Sequence, residues 1–454
     1  MMPTWTPDSW RNVPAAQQPT WPDVSELEGV RKKLATRPPL IYAGEAASLK
    51  SALAEAAHGR AFVIQAGDCA ETFADFSPDR VKDLFKVILQ MAVVLTWSSG
   101  VPTVKIGRIA GQFAKPRSSA TETVAGKALP SYRGDMVNSA LPSDEARRPD
   151  PENLLRAYDQ AASTQNLLRA FASGGFADLA SVHQWNREFV AASQEGRRYE
   201  SVASGIDAAL RFMRACGIDS RALHEVEMFT SHEALILDYE QALTRQDSMG
   251  GDTWYDCSTH MPWIGNRTKD VHGAHVEYLS GVANPIGCKV DAETSVEHVL
   301  ALCQRLNPGR EEGRLTLISR MGKDRVRESL PPLISAVHTA GFPVLWTCDP
   351  MHGNTFKNAA GVKTRHFDDV FAEISGYFDV HRQLGTWPGG IHIELTGENV
   401  TECLGGPDDL THDDLGDRYL TACDPRLNGR QALDMAFRVG ELLSQLSHQA
   451  GALR

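Results

Sequence analysis

The chain is poor in the features that usually announce a chemistry. Its 454 residues hold eight cysteines, at 69, 216, 257, 288, 303, 348, 403 and 423, with no CxxC pair. Scattered thiols argue against a disulfide framework and fit a reducing, cytoplasmic setting. Basic residues are in deficit: 46 Lys and Arg against 57 Asp and Glu leave a net charge of −11. That balance argues against a general nucleic-acid or membrane-surface binder, while leaving room for a local basic pocket. No run of 18 uncharged apolar residues occurs, so no membrane span is expected. The opening MMPTWTPDSWRNVPAAQQPTWPD lacks a basic segment leading into an apolar one, so no signal peptide is expected. No phosphate loop, dinucleotide glycine fingerprint or GxSxG elbow stands in the right context. HEVEMFTSHE (224–233) lacks the HExxH spacing and reads as structural.

What remains is an ordinary globular composition, 42% hydrophobic and 23% charged, long enough to bury a full core. Residues 1–45, rich in Pro and Trp, read as an arm or cap. Residues 46–454 alternate short β-rich runs with stretches of helical period. The strand candidates are 61–65, 102–106, 177–182, 225–230, 285–290, 314–319, 343–348 and 391–396. Helices are expected over 77–97, 151–171 and 231–243, with Pro78 and Pro151 near two starts, where a missing N–H costs nothing. The stretches 184–224 and 244–284 exceed a plain repeat and read as insertions carrying extra helices. Eight strands alternating with helices predict an α/β fold with a parallel sheet, and eight is the number that closes a (β/α)8 TIM barrel. A doubly wound open sheet is the rival.

Polar residues collect just after the strands. GDCAE (67–71), GRIAGQFAKPRS (107–118), Lys289, Arg320, DPMHGNT (349–355) and Glu394 all fall at predicted strand ends. A closed barrel gathers such ends at one mouth, and an open sheet gathers them along one edge. Cys69, His352, Glu394 and Asp424 are each able to ligate a divalent cation. Arg108, Lys115, Arg117, Arg267, Lys289 and Arg320 suit an anionic substrate, because arginine forks bind phosphate and carboxylate bidentately. The bland alternative pairs these cations with Asp68, Glu71, Asp135 and Asp349 in structural salt bridges.

The motifs QAGDCAETF, RIAGQFAKPRS, SYRGDMVN, SHEALILDYE, LTLISRMG, DPMHGNT, KTRHFD, ELTGENVTECLGG and CDPRLN, in that order, resemble type II 3-deoxy-D-arabino-heptulosonate 7-phosphate (DAHP) synthases from about Gln17 to about residue 447. The resemblance implies a (β/α)8 barrel and a metal-dependent condensation of phosphoenolpyruvate with erythrose 4-phosphate, the entry to the shikimate pathway. It places the metal ligands on Cys69, His352, Glu394 and Asp424, with Mn²⁺ or Co²⁺ favoured and Zn²⁺ admitted. Phosphoenolpyruvate contacts fall on Arg108, Arg267, Lys289 and Arg320, and the erythrose 4-phosphate end on Lys115, Arg117 and Ser118. Lys289, Arg320 and His352 carry the catalytic expectation. The resemblance also implies that Cys423, next to Asp424, approaches Cys69, so that oxidation would join the two thiols and destroy the metal site. A homo-oligomer, dimer or tetramer, and association with chorismate mutase are further implications.

Two departures flank the expected substrate site. WIGNRT carries Asn266 where the family usually has glutamate, and an amide neither takes a proton nor bears charge. Lys289 is followed by Val290, Asp291 and Ala292 in place of the usual hydrophobic-Gly-Pro run. Asn266 is kept among the substrate-binding candidates. The departures raise two alternatives: an amino-DAHP synthase or related condensation in a secondary-metabolite pathway, and a catalytically weak regulatory or binding paralogue.

Overall fold

Eight parallel strands close into one barrel, in the spatial order β1-β8-β7-β6-β5-β4-β3-β2. They are β1 (Phe62–Gly67), β2 (Thr103–Arg108), β3 (Phe229–Glu233), β4 (Met261–Ile264), β5 (Ile286–Asp291), β6 (Leu315–Arg320), β7 (Val344–Cys348) and β8 (Gly390–Glu394). The computed structural model describes residues 5–124, 126–192, 197–218, 223–247 and 251–452, with side chains to residue 446. Every residue of β1 and β8 is buried. Continuous burial of this kind belongs to a parallel sheet covered on both faces. This closure decides for the barrel over the open sheet.

The helices in chain order are α1 (Val24–Thr36), α2 (Ala43–Ala57), α3 (Pro78–Ser99), α4 (Glu152–Ser173), α5 (Leu179–Ala192), α6 (Glu200–Ala215), α7 (Leu237–Leu243), α8 (Ala274–Gly281), α9 (Val296–Leu306), α10 (Val326–Thr339), α11 (Phe367–Leu384) and α12 (Gly429–Ala452). Sequence signals set several ends. Ser77 caps α3 by accepting from Arg80 N, Pro78 occupies the first turn, and Gly100 closes the helix at φ 71°. Those residues suit those positions because an N-cap oxygen satisfies a free amide and glycine tolerates the left-handed turn.

Three strand expectations need correction. Residues 177–182 form no strand. Asp178 accepts a hydrogen bond from Ser181 N and so caps the amphipathic α5 instead. The expected strand 225–230 starts later, at Phe229, once the charged Glu225 and Glu227 have passed. The remaining barrel strand, β4, is Met261–Ile264, inside the stretch 244–284 expected to be a helical insertion. At four residues, MPWI is too short for alternation to reveal it. The other expected insertion, 184–224, contains most of α5 and all of α6 among its described residues; 193–196, 219–222 and 248–250 lie outside them.

The tryptophans of the N-terminal segment fasten it to the barrel's outer helices. Trp5 Nε1 donates to Glu277 O (3.0 Å), Trp10 Nε1 to Gln241 Oε1 (3.1 Å) and Trp21 Nε1 to Asp238 Oδ2 (3.1 Å). Gln18 completes the strap by donating to Leu235 O (2.7 Å) and accepting from Leu237 N (3.1 Å).

The inserted helix pair is tied to the barrel by aromatic packing. Tyr199, at the head of α6, stacks on Phe437 of α12 at 4.2 Å, and its hydroxyl donates to Asp434 Oδ1 (2.8 Å). Phe189 of α5 stacks on the same ring at 6.1 Å. Phe437→Ala is therefore expected to cost about 3–5 kcal/mol of unfolding free energy. Urea midpoints at unchanged slope would read it, and a cost below about 1 kcal/mol would contradict the packing role.

Candidate active site

The register of the barrel brings the functional side chains together. Gly67 pairs with both Glu394 and Arg108 across the β8–β1–β2 edge. Its φ is 147°, and a Cβ there would stand 2.6 Å from Arg108 O. Only glycine suits this position. Across this position Arg108 Nη2 reaches Glu394 Oε1 at 2.9 Å. One layer below, His392 hydrogen-bonds Gln65 Oε1 (2.8 Å) and Arg108, and Trp263 meets the His392 ring edge-on at 5.2 Å. Arg108 thus rests on a polar floor to which the unpredicted strand β4 contributes a large ring.

Glu394 is the hub. Its Oε1 lies within 3.5 Å of Lys115 Nζ and 3.2 Å of His352 Nε2. Arg365 stands 2.9 Å from Oε2, but that oxygen is buried and accepts no hydrogen bond. Burial opposes the charge on Glu394, yet His352, Lys115, Arg365 and Arg108 hold it well below the usual carboxylate range. Donor atoms of Cys69, Glu394 and Asp424 all fall within 4.8 Å of one another. Asp424 N donates to Cys69 Sγ (3.2 Å), and Lys115 and Lys363 bind the Asp424 carboxylate at 3.1 and 2.9 Å. Burial pushes the Cys69 thiol well up, helped by the adjacent Cys423 thiol and Glu394.

His352 joins this cluster through an oriented ring. Its Nδ1 faces Asp349 Oδ2 at 2.7 Å, leaving Nε2 turned to Glu394. A carboxylate behind a histidine fixes ring and tautomer in this way at metal centres. A buried carboxylate oxygen that accepts no hydrogen bond, a thiol, a second carboxylate and an oriented imidazole are a donor set that fits a divalent cation.

Asp349 also anchors Lys289, whose Nζ lies 2.7 Å from Oδ2. Burial opposes the Asp349 charge, but His352 and Lys289 hold its pKa well below the ordinary value. Burial, then Arg108 and Arg320, pull Lys289 below an ordinary lysine, against the pull of Asp349. Arg320 closes β6 with its Nε buried and lacking a hydrogen-bond partner. Among the described residues it makes no ion pair, so its guanidinium is available to an anion.

Residues 5–440 match the model of the Class-II DAHP synthetase family. The chain belongs to this family. It is 54% identical over 435 residues to phospho-2-dehydro-3-deoxyheptonate aldolase of Streptomyces coelicolor, covering 96% of each chain. It is 50% identical over 440 residues to phospho-2-dehydro-3-deoxyheptonate aldolase AroG of Mycolicibacterium smegmatis, covering 96% of this chain and 94% of that one. A solved structure of the Francisella tularensis SCHU S4 phospho-2-dehydro-3-deoxyheptonate aldolase aligns with TM-score 0.49 at 15% identity, over 92% of this chain and 96% of that one.

Within this family member, the structure gathers Cys69, His352, Glu394, Asp424, Arg108, Lys115 and Lys289 into one connected cluster, with Arg320 beside Lys289. Lys115, expected at the erythrose 4-phosphate end, bridges Glu394 and Asp424. Arg117, Ser118, Arg267 and Asn266 lie nearer the rim. Arg117 is drawn to Glu122, and Arg267 Nη2 donates to Ser118 Oγ (2.9 Å). Asn266 Nδ2 donates to Asp291 Oδ2 (2.6 Å), and Lys269 binds both residues. The two departures therefore meet in one neutralised unit. Of the four acids considered as structural partners, only the Asp349 carboxylate takes one of the named cations; Asp68 meets Arg108 Nε through its main-chain carbonyl (3.1 Å). Asp68 pairs with Arg426, Glu71 accepts from the amides of residues 110–112, and Asp135 from Phe73 N and Tyr132.

Arg365, Lys363 and Glu373 join the site without having been expected there. The first two lie in KTRHFD, beyond the predicted strand ends. Glu373, in the middle of α11, gave no signal. It is fully buried and accepts from Met321 N (2.7 Å), Gly322 N (2.9 Å) and Asn354 Nδ2 (2.7 Å). It therefore braces the loops that follow Arg320 and His352.

Burial, then Asp349, raise Glu373 from 4.5 to about 8. The fold then holds a proton that the unfolded chain releases, so stability falls as pH climbs from 4.5 to about 8. Glu373→Gln removes that titration but sets an amide against Asn354. The variant is expected to be less stable than wild type at pH 5 and to close the gap by pH 8, by on the order of a few kcal/mol. A gap independent of pH, measured by thermal unfolding, would contradict the assignment.

Proposed function

We propose that this chain condenses phosphoenolpyruvate with erythrose 4-phosphate and water to give DAHP and phosphate, the first step of the shikimate pathway. The observation that carries the reading is the meeting of a metal-type donor set, Cys69, His352, Glu394 and Asp424, with Arg108, Lys289 and the unpaired Arg320 at the C-terminal mouth of a (β/α)8 barrel. Active sites of such barrels lie at that mouth. The match to both curated relatives over nearly their whole length supports it.

Arg320 and Lys289 are placed to hold the carboxylate and phosphate of phosphoenolpyruvate, with Arg108 and Arg267 completing the positive surround. Arg117 and Ser118 are placed for the phosphate of the four-carbon sugar, and Lys115 for the aldehyde end beside the donor cluster. A divalent cation held by Cys69, His352, Glu394 and Asp424 would polarise the aldehyde carbonyl as a Lewis acid. Mn²⁺ or Co²⁺ is favoured; thiolate and imidazole also admit Zn²⁺.

Fixing two anions with the enol carbon against the aldehyde carbon supplies much of the rate by orientation alone. As the C–C bond forms, the aldehyde oxygen must gain a proton. Lys289 suits that transfer, since burial and two arginines already make its ammonium more acidic. Asp349 keeps both Lys289 and His352 in place meanwhile. Water then adds at the former enol carbon and phosphate leaves with C–O cleavage. The reaction is placed in the cytoplasm, which keeps a ligand such as Cys69 reduced. Assembly as a homo-oligomer, and any contact with chorismate mutase, rest on the resemblance alone. The site favours neither the amino-DAHP nor the regulatory-paralogue reading.

The test is turnover of both substrates by protein stripped with chelator and then reconstituted. Activity should vanish on stripping and return with Mn²⁺ or Co²⁺; full activity in the stripped protein, or none after reloading, would overturn the proposal. Arg320→Ala should lower kcat/KM for phosphoenolpyruvate by at least about 30-fold, the equivalent of about 2 kcal/mol for a lost buried charge contact. An unchanged value would remove Arg320 from the site.

A further inference from the structure

The KPRS segment that carries Arg117 and Ser118 is not held by the barrel alone. A residue 100 positions earlier grips its main chain. Gln17 Oε1 accepts from Arg117 N (2.9 Å), and Gln17 Nε2 donates to Arg117 O (3.1 Å). The side-chain amide thus pairs with Arg117 as a neighbouring strand's peptide would, fixing both polar atoms of one residue. Arg133 holds the grip from the other side. Its Nη2 donates to Gln17 O (2.8 Å) and approaches Gln17 Oε1 at 3.3 Å, while its own carbonyl accepts from Lys115 N (2.8 Å).

Two further observations show that this contact is built. Gln17 has φ 62°, a left-handed backbone uncommon for a residue with a side chain. Such strain persists only where the surroundings over-determine it. The next residue, Gln18, is locked to Leu235 and Leu237, and the tryptophan strap anchors the segment on either side. The grip also falls where cations gather: Arg117, Arg133 and Arg267 stand together nearer the rim, where Arg117 pairs with Glu122. A cation-rich rim suits a phosphate, and its Arg117 needs a fixed backbone to present its fork.

We propose that Gln17 is a positioning residue for the phosphate of the aldehyde substrate, acting through the main chain of Arg117. This rests on the function proposed above. The amide is needed at full length: alanine makes neither bond, asparagine is one methylene short of spanning both atoms, and glutamate accepts from Arg117 N but has no proton for Arg117 O.

The experiment compares wild type, Gln17→Ala, Gln17→Asn and Gln17→Glu, all metal-loaded and full length. Kinetics are read for each substrate in turn, with hydrogen exchange at residues 115–118. Gln17→Ala and Gln17→Asn should raise KM for erythrose 4-phosphate about tenfold or more, in line with small misplacements of a binding group. KM for phosphoenolpyruvate should stay within about twofold, and the Arg117 amide should lose protection. Gln17→Glu should recover part of the effect, and it serves as the folded comparison if the shorter side chains unfold the arm. Equal rises in both KM values with a falling melting temperature, or no change in either, would overturn the proposal while leaving the function standing. A wild-type protein that fails to use erythrose 4-phosphate would overturn the function, and this proposal with it.

Discussion

Everything at the mouth of the barrel depends on one buried carboxylate. Glu394 ends β8 with no exposure and two arginines to hand, Arg108 at 2.9 Å on Oε1 and Arg365 at 2.9 Å from Oε2. A carboxylate that deep is costly unless cations or a metal answer it. The cations come from strand β2 and the segment after β7, while His352, Cys69 and Asp424 bring donor atoms to the same carboxylate. Gly67 lets the paired strands approach at this level, since a Cβ there would strike the Arg108 carbonyl oxygen at 2.6 Å. One register position in the sheet thus links backbone geometry to charge and to the proposed cation.

Around this hub the fold separates rigid chemistry from adjustable recognition. Lys289, Arg320 and Glu394 sit on strand ends, and the loop-borne His352 is locked by Asp349 behind it. Rigid placement of that sort keeps reacting groups aligned without reorganisation. Arg117, Ser118 and Arg267 lie on segments nearer solvent and are organised by partners from elsewhere in the chain, Gln17 and Arg133 among them. The N-terminal strap, far from the site in sequence, thereby becomes part of its frame. Asn266 and Asp291 answer each other in the same manner: the carboxylate added after Lys289 is met by the amide and by Lys269, so its charge does not stand free beside an anion site.

Much of this was legible in the sequence, for identifiable reasons. Six of the barrel strands announced themselves as β-rich runs between turns, and the polar residues after them marked the mouth. Met261–Ile264 did not, because four residues carry too little periodicity, and with it Trp263, the ring under Arg108, was lost. ADLASV read as a strand because its composition is apolar and short; Asp178 decides for a helix by capping, which periodicity does not register. Asp424 follows no strand; it stood among the candidates for its ligating carboxylate, and the resemblance tied it to the other three. Arg365, Glu373 and Gln17 went unseen because their roles are long-range: a guanidinium beside a hub carboxylate, a carboxylate brace between loops, and an amide gripping a main chain have no local pattern.

The measurement that bears most directly on this reading is calorimetric titration of the metal-stripped protein with Mn²⁺, for wild type and Glu394→Gln, in buffers of different ionisation enthalpy. One cation should bind per chain with release of protons from the Cys69 side of the cluster, because a ligating thiol must deprotonate. Glu394→Gln should lose most of that affinity. Tight binding that survives the substitution unchanged, or the absence of a site in wild type, would contradict it.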